Sequence, residues 1–231
     1  PWRVLMLKAL LFDLDGTLTN TDPIHFATWQ DVMKPHGLKI DRDFYDKNFS
    51  GRLNAAIVAN LLPHLSPAEG EQLSRDKEAE FRHRAAGELQ PLAGLTELLN
   101  WANTQQLRQA VVTNAPVENA EFMLQVLGLQ HQFETVVIAE QLERGKPDPL
   151  PYQTALDRLG VSAKSAVAFE DSPSGIRSAI GAEILTVGIA STHAADDLYA
   201  VGASLVVKDF ADPKLNEWLR FSFKQAIVQN G

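Results

Sequence analysis

Apolar residues gather in short runs along this chain: Ala9-Leu10-Leu11-Phe12, Gln109-Ala110-Val111-Val112, Val136-Val137-Ile138, Ala166-Val167-Ala168-Phe169, Ile184-Leu185-Thr186-Val187 and Leu205-Val206-Val207. From Leu92 onward these runs alternate with stretches of helical character. That alternation predicts a parallel sheet covered by helices on its faces. Between Asp22 and Glu88 no convincing strand pattern appears. There Ser66-Pro67-Ala68-Glu69 reads as a capping box with proline at the first helical position, opening a long polar helix that stops near Gly87. The simplest architecture is a doubly wound α/β core, residues 1–19 plus 89–231. A helical domain of residues 20–88 is inserted after its first strand. Open parallel sheets bind ligands beyond the carboxyl ends of their strands.

Chemistry collects at that edge. The first run leads into Asp13-Leu14-Asp15-Gly16-Thr17. Positions i and i+2 of a strand share a face, so Asp13 and Asp15 are expected to project together. At an effective dielectric of about 20, two like charges ~4 Å apart repel by roughly 4 kcal/mol, which calls for a compensating cation or a function. Two further runs end the same way: Val112 precedes Thr113-Asn114, and Phe169 precedes Glu170-Asp171.

Composition narrows the classes. The 231 residues suffice for one large domain or one domain with an insertion, and 45% are hydrophobic, enough for a sizeable core. Lys+Arg 21 against Asp+Glu 29 gives a net charge of -8 without a basic stripe, so nucleic acid is not an expected partner. A small anion can still bind, because the local field of a cleft decides that. With no cysteine, thiolate nucleophiles, disulfides and cysteine-based zinc sites are excluded. A reducing cytoplasm fits this usage. Lys8 interrupts the early apolar stretch, acids follow it and no small-residue cleavage site appears, so a secretory signal is not expected. No apolar span approaches the roughly 18 residues of a membrane helix, so a soluble protein with no membrane partner is expected. Residues before Met6 read as an extension. No surface stripe points to an extended interface, and a monomer or weak dimer is expected.

Four segments, taken in order, carry a resemblance to a known family: Asp13-Leu14-Asp15-Gly16-Thr17, Thr113-Asn114, Gly145-Lys146-Pro147-Asp148 and Phe169-Glu170-Asp171-Ser172. Together they closely resemble the haloacid dehalogenase-like phosphatases, in the branch with a small helical cap, similar to β-phosphoglucomutase and sugar-phosphate phosphatases. The resemblance covers nearly the whole chain and implies a Rossmann-like core. It implies that Asp13 attacks phosphorus to form an aspartyl-phosphate, and that Asp15 protonates the leaving oxygen and then deprotonates water. A magnesium ion is implied, held by Asp13, the backbone carbonyl of Asp15 and Asp171, with Glu170 a ligand through water or an acid behind the ligands. Four carboxylates against Lys146 make such a cation close to obligatory. Thr113, Asn114 and adjacent amides are implied to hold phosphoryl oxygens, and Lys146 to balance the nucleophile and the transferring group. Dehalogenating relatives generally lack the second acid, so Asp15 favours phosphate esters.

The resemblance also points to cap residues for the substrate: Thr21, His25, Trp29, Gly51, Arg52, Asn54 and Lys77. His25 and Trp29 share one helix face at i, i+4 spacing. Trp29 reads equally as cap core, and Lys77 equally as a solvated helix lysine. Two departures bear on the reaction. Glucose-phosphate mutases carry an arginine three residues after the cap glycine, where Asn54 stands here. Related phosphatases often carry an arginine where this chain has Val117. No G-x-S-x-G, Walker loop or G-x-G-x-x-G is present. The leading expectation is a magnesium-dependent phosphatase acting on a small phosphorylated metabolite, a sugar or polyol phosphate. The alternatives are a sugar phosphomutase and a non-catalytic relative that binds metal or ligand.

Overall fold

The computed structural model describes residues 6–49 and 52–223. Six strands form one parallel sheet: β1 (Ala9–Phe12), β2 (Arg108–Thr113), β3 (Thr135–Ile138), β4 (Ala166–Glu170), β5 (Leu185–Ile189) and β6 (Leu205–Val207). Their spatial order is β3-β2-β1-β4-β5-β6, the doubly wound α/β arrangement expected above. Every expected apolar run is a strand. The bounds shift: β2 begins one residue earlier, β4 extends to Glu170, and β5 runs on to Ile189.

Strand sequence explains both sheet faces. Along β1, Leu10 and Phe12 enter one apolar cluster with Val111, Val167 and Phe169, whereas Ala9 and Leu11 enter another with Ala110, Val112, Ala166 and Ala168. This is the period-two alternation of a pleated strand buried on both sides. The first face is filled by large groups, Phe12 stacking on Phe169 at 5.0 Å between centroids. Alanines on the second face let the helix carrying Tyr152 approach closely.

Within residues 20–88 the described α-helices are α1 (Asp22–Met33), α2 (Arg42–Asn48), α3 (Asn54–Leu61) and α4 (Pro67–Ala85). They share an apolar cluster of Trp29, Met33, Tyr45, Phe49, Ile57 and Val58. The capping box forms at α4, with Ser66 N donating to Glu69 Oε2 at 2.8 Å and Glu69 N donating to Ser66 Oγ at 3.3 Å. The inner ends of α1 and α4 join the sheet's own cluster through Ile24, Phe81 and Ala85. The remaining helices flank the sheet: α5 (Leu95–Thr104), α6 (Val117–Val126), α7 (Leu150–Leu159), α8 (Pro173–Gly181), α9 (Ala195–Ala200) and α10 (Pro213–Ser222). Among the described residues no helix is long and apolar enough to cross a membrane.

The topological switch falls at β1, which pairs with β2 on one side and β4 on the other. Phe12 is level with Val111 and with Phe169. The residues after Phe12, Val112 and Phe169 therefore meet at one rim, as the spacing of the motifs requires.

Candidate active site

The strand stops at Phe12, and the carboxylates that follow do not continue it. Gly16 takes a left-handed φ of 79°, which only glycine adopts without cost, and the chain turns so that Gly16 N donates to Thr19 O at 2.8 Å. This turn gives Asp13 and Asp15 separate partners. Both line one cavity of about 930 Å³, but Asp13 faces the sheet rim and Asp15 faces the helices above it.

Asp13 sits in a dense polar cluster. Lys146 Nζ donates to Asp13 Oδ1 at 2.6 Å and to the Val112 carbonyl at 2.7 Å, and lies 2.6 Å from Glu170 Oε1. Thr17 Oγ1 donates to Asp13 Oδ2 at 3.1 Å. Asn114 clamps the backbone around Lys146: its Oδ1 accepts from Lys146 N at 3.0 Å and its Nδ2 donates to Lys146 O at 3.2 Å. Thr113 Oγ1 accepts from Ala115 N at 2.9 Å, fixing the loop after β2. Asp13, Thr113, Asn114 and Lys146 line the same cavity, with Glu170 and Thr17 buried behind them.

Carboxylate oxygens of Asp13, Glu170 and Asp171 lie within 4.8 Å of one another, all three residues buried. Burial pushes all three acids up; Asp13 adds to this at Glu170 and Asp171, Glu170 adds at Asp171 and Asp15 adds at Asp13, with Lys146 opposing. Glu170 is pushed up to about 7. Burial disfavours the Lys146 ammonium, yet Asp13 and Glu170 outweigh it and hold the lysine protonated. One lysine thus compensates three acids incompletely. Among the described residues Glu170 Oε2 is buried without a hydrogen-bond partner, and a Cβ at Gly175 would collide with it. Gly16 is constrained in the same way against Asp171 Oδ2. An all-oxygen cluster with excess negative charge and an unpartnered oxygen fits a hard divalent cation.

The Asp15 side chain lies outside that trio. Its Oδ1 accepts from Thr21 Oγ1 at 2.9 Å and lies 3.2 Å from His25 Nε2. Lys77 Nζ lies 2.9 Å from His25 Nδ1. A lysine can only donate, so Nδ1 accepts and Nε2 carries the proton that faces Asp15. The imidazole is clamped against Phe81, ring centroids 4.0 Å apart.

The other residues named from sequence are distributed unevenly. Trp29 is both core and wall: it lines the cavity, is 2% exposed, packs on Phe49, and takes Lys77 over its ring at 5.1 Å. Lys77 is buried rather than solvated. Arg52 lines the rim and donates to the Asn48 carbonyl at 3.2 Å. Asn54 lines the cavity and donates to Glu78. Gly51 lies outside the described residues.

Sequence reasoning passed over four side chains. Tyr152 donates to Glu170 Oε1 at 2.7 Å from within α7, and Thr192 donates to Asp171 from the loop after β5. Glu78 and Asn119 meet at 2.6 Å between α4 and α6. Tyr152 carries the signal of a core aromatic, and Glu78 that of an ordinary acid on a polar helix.

The family model for haloacid dehalogenase-like hydrolase matches residues 10–189. The chain belongs to that family. It is 34% identical over 211 residues to validoxylamine A 7'-phosphate phosphatase of Streptomyces hygroscopicus subsp. limoneus, covering 90% of this chain and 96% of the relative. It is 29% identical over 207 residues to phosphorylated carbohydrates phosphatase of Thermotoga maritima, covering 87% and 94%. Among solved structures, a CbbY mutant from Rhodobacter sphaeroides in complex with xylulose-(1,5)bisphosphate superposes with a TM-score of 0.80 at 27% identity, covering 90% of this chain and 96% of that one. This haloacid dehalogenase-like hydrolase therefore has sugar-phosphate phosphatases among its relatives.

Proposed function

We propose that this hydrolase is a magnesium-dependent phosphatase of sugar or polyol monophosphates, working through an aspartyl-phosphate on Asp13. The observation that carries the reading is the pair of acids with divided duties. Asp13 is buried beside Lys146 and the acidic trio, whereas Asp15 stands across the same cavity on Thr21 and His25.

Asp13, Asp171 and the backbone carbonyl of Asp15 would hold the magnesium ion, with Glu170 behind or beside them. When bound, the ion neutralises phosphoryl oxygens and the excess carboxylate charge. Lys146 favours the ionised form of Asp13 that attacks phosphorus and offers positive charge to the transferring group. Thr113 and the amides after β2 face the phosphoryl oxygens. Asp15 gives its proton to the departing alkoxide and, in the second step, takes one from water that attacks the aspartyl-phosphate. His25, fixed by Lys77 and Phe81, orients the Asp15 carboxylate. The helices above the sheet shield the site from bulk water.

The mutase reading needs a grip on a second phosphate. Asn54, at the position of the mutase arginine, instead donates to the buried Glu78, which favours hydrolysis. The test is phosphate release from a panel of phosphorylated sugars, polyols and nucleotides, with and without magnesium, using Asp13→Asn as the blank. Magnesium-dependent release from sugar or polyol phosphates supports the reading. Isomer formation without release would replace it with the mutase.

A further inference from the structure

A further buried carboxylate, apart from the acidic trio, lies in the cavity wall on the side of the inserted helices. Glu78 is 7% exposed and gathers three donors from three elements. Its Oε1 accepts from Asn54 of α3 and, at 2.8 Å, from the neighbouring Lys77, while its Oε2 accepts at 2.6 Å from Asn119 of α6. Asn119 in turn accepts from Arg82 Nη1 at 2.6 Å, and Arg82 Nη2 lies 2.7 Å from Glu118. Asn54, Glu78, Arg82 and Asn119 all line the cavity that Asp13 opens into.

The charges here are already matched. Lys77 is committed to Glu78 and His25, and Arg82 to Glu118 and Asn119. A phosphate entering this wall would have to displace Glu78 from Lys77 while lying against the Glu78 carboxylate. A substrate hydroxyl faces the opposite situation. Among the described residues Glu78 Oε2 has a single partner, and a carboxylate oxygen has room for a second donor.

Resting on the phosphatase reading above, we infer that Glu78 is a specificity-determining residue that rejects a second phosphate and accepts hydroxyl groups at the far end of a sugar monophosphate. Rejection by a fixed like charge is a standard way to separate related ligands, and the polar network around Glu78 holds that charge in place. The wall therefore selects a monophosphate with a hydroxylated tail over the corresponding bisphosphate.

The test compares kcat/KM for fructose 6-phosphate and fructose 1,6-bisphosphate in the native protein, Glu78→Gln and Glu78→Asp. The native protein should prefer the monophosphate by roughly 100-fold, as like-charge juxtaposition implies. Glu78→Gln should raise KM for the monophosphate and shrink the preference about tenfold or more. Glu78→Asp keeps the charge and should keep the preference. Inhibition by inorganic phosphate, which engages the Asp13 end alone, should be the same in all three.

A native protein that hydrolyses both substrates equally overturns the inference and leaves the phosphatase reading standing. The same holds if Glu78→Gln weakens both substrates and inorganic phosphate alike. Should Glu78→Gln not fold, the native ratio and Glu78→Asp still decide. No phosphate release from any sugar phosphate overturns both readings together.

Discussion

His25 Nε2 lies 3.2 Å from Asp15 Oδ1, and the other nitrogen of that ring is held 2.9 Å from Lys77 Nζ. The proposed general acid is thus oriented by the inserted helices, whereas the proposed nucleophile is oriented by the sheet. Asp15→Asn should lower kcat by the ~10²–10⁴-fold typical of a lost general acid and base. His25→Ala keeps the carboxylate and loses its orientation, so a smaller fall in kcat is expected, with inhibition by inorganic phosphate unchanged. Steady-state kinetics on one substrate checks both. An Asp15→Asn protein of native kcat would remove Asp15 from the chemistry.

Magnesium should change how stability depends on pH. Glu170 is raised from an ordinary 4.5 to about 7, chiefly by burial and then by Asp13. Asp13 and Asp171 are raised as well. A raised carboxyl binds more protons folded than unfolded, so metal-free stability falls as pH rises from about 4.5 towards 7. A divalent cation favours the ionised acids and should flatten or reverse that slope. Denaturant unfolding at several pH values, with and without magnesium, reads this directly. A metal-free protein that gains stability across the window would contradict the charge balance described for the trio.

Glu78 carries the opposite sign. Burial would raise it, but the Lys77 ammonium, together with hydrogen bonds from Lys77 and Asn54, outweighs burial and lowers it from an ordinary 4.5 to about 2. A lowered carboxyl contributes stability above its unfolded value that is lost as pH falls through the folded one. The native protein should therefore lose this contribution between about 4.5 and 2, and Glu78→Gln should show less loss in the same window. Equal acid sensitivity of the two proteins would show that Glu78 is not held ionised.

Much of this arrangement was legible in the sequence. Strands buried on both faces need no alternation, so β1, β2 and β4 read as continuous apolar runs, and polar residues after them mark the rim. The i, i+2 spacing of Asp13 and Asp15 was less informative. It assumes an extended chain, and the left-handed Gly16 turn sends the two side chains to different partners. Glu78 and Asn119 were illegible for another reason. They are 41 residues apart on helices that each look ordinary, and only the packing of α4 against α6 makes them a pair. Trp29 was ambiguous from sequence because it occupies both environments.

Gly16 gives a backbone test. In Gly16→Ala the left-handed conformation costs roughly 1–2 kcal/mol, and the new methyl meets Asp171 Oδ2 and Thr192. Magnesium affinity, measured by the shift in melting temperature on titration, should fall along with activity. Native magnesium affinity in this variant would place Asp171 outside the metal site.

The most direct test of the central claim is acid quenching during turnover of a sugar monophosphate labelled with ³²P, with magnesium present, followed by peptide mapping. The account predicts label retained on the peptide carrying Asp13, and neither label nor turnover in Asp13→Asn. Full turnover without protein-bound label, together with an active Asp13→Asn, would contradict it.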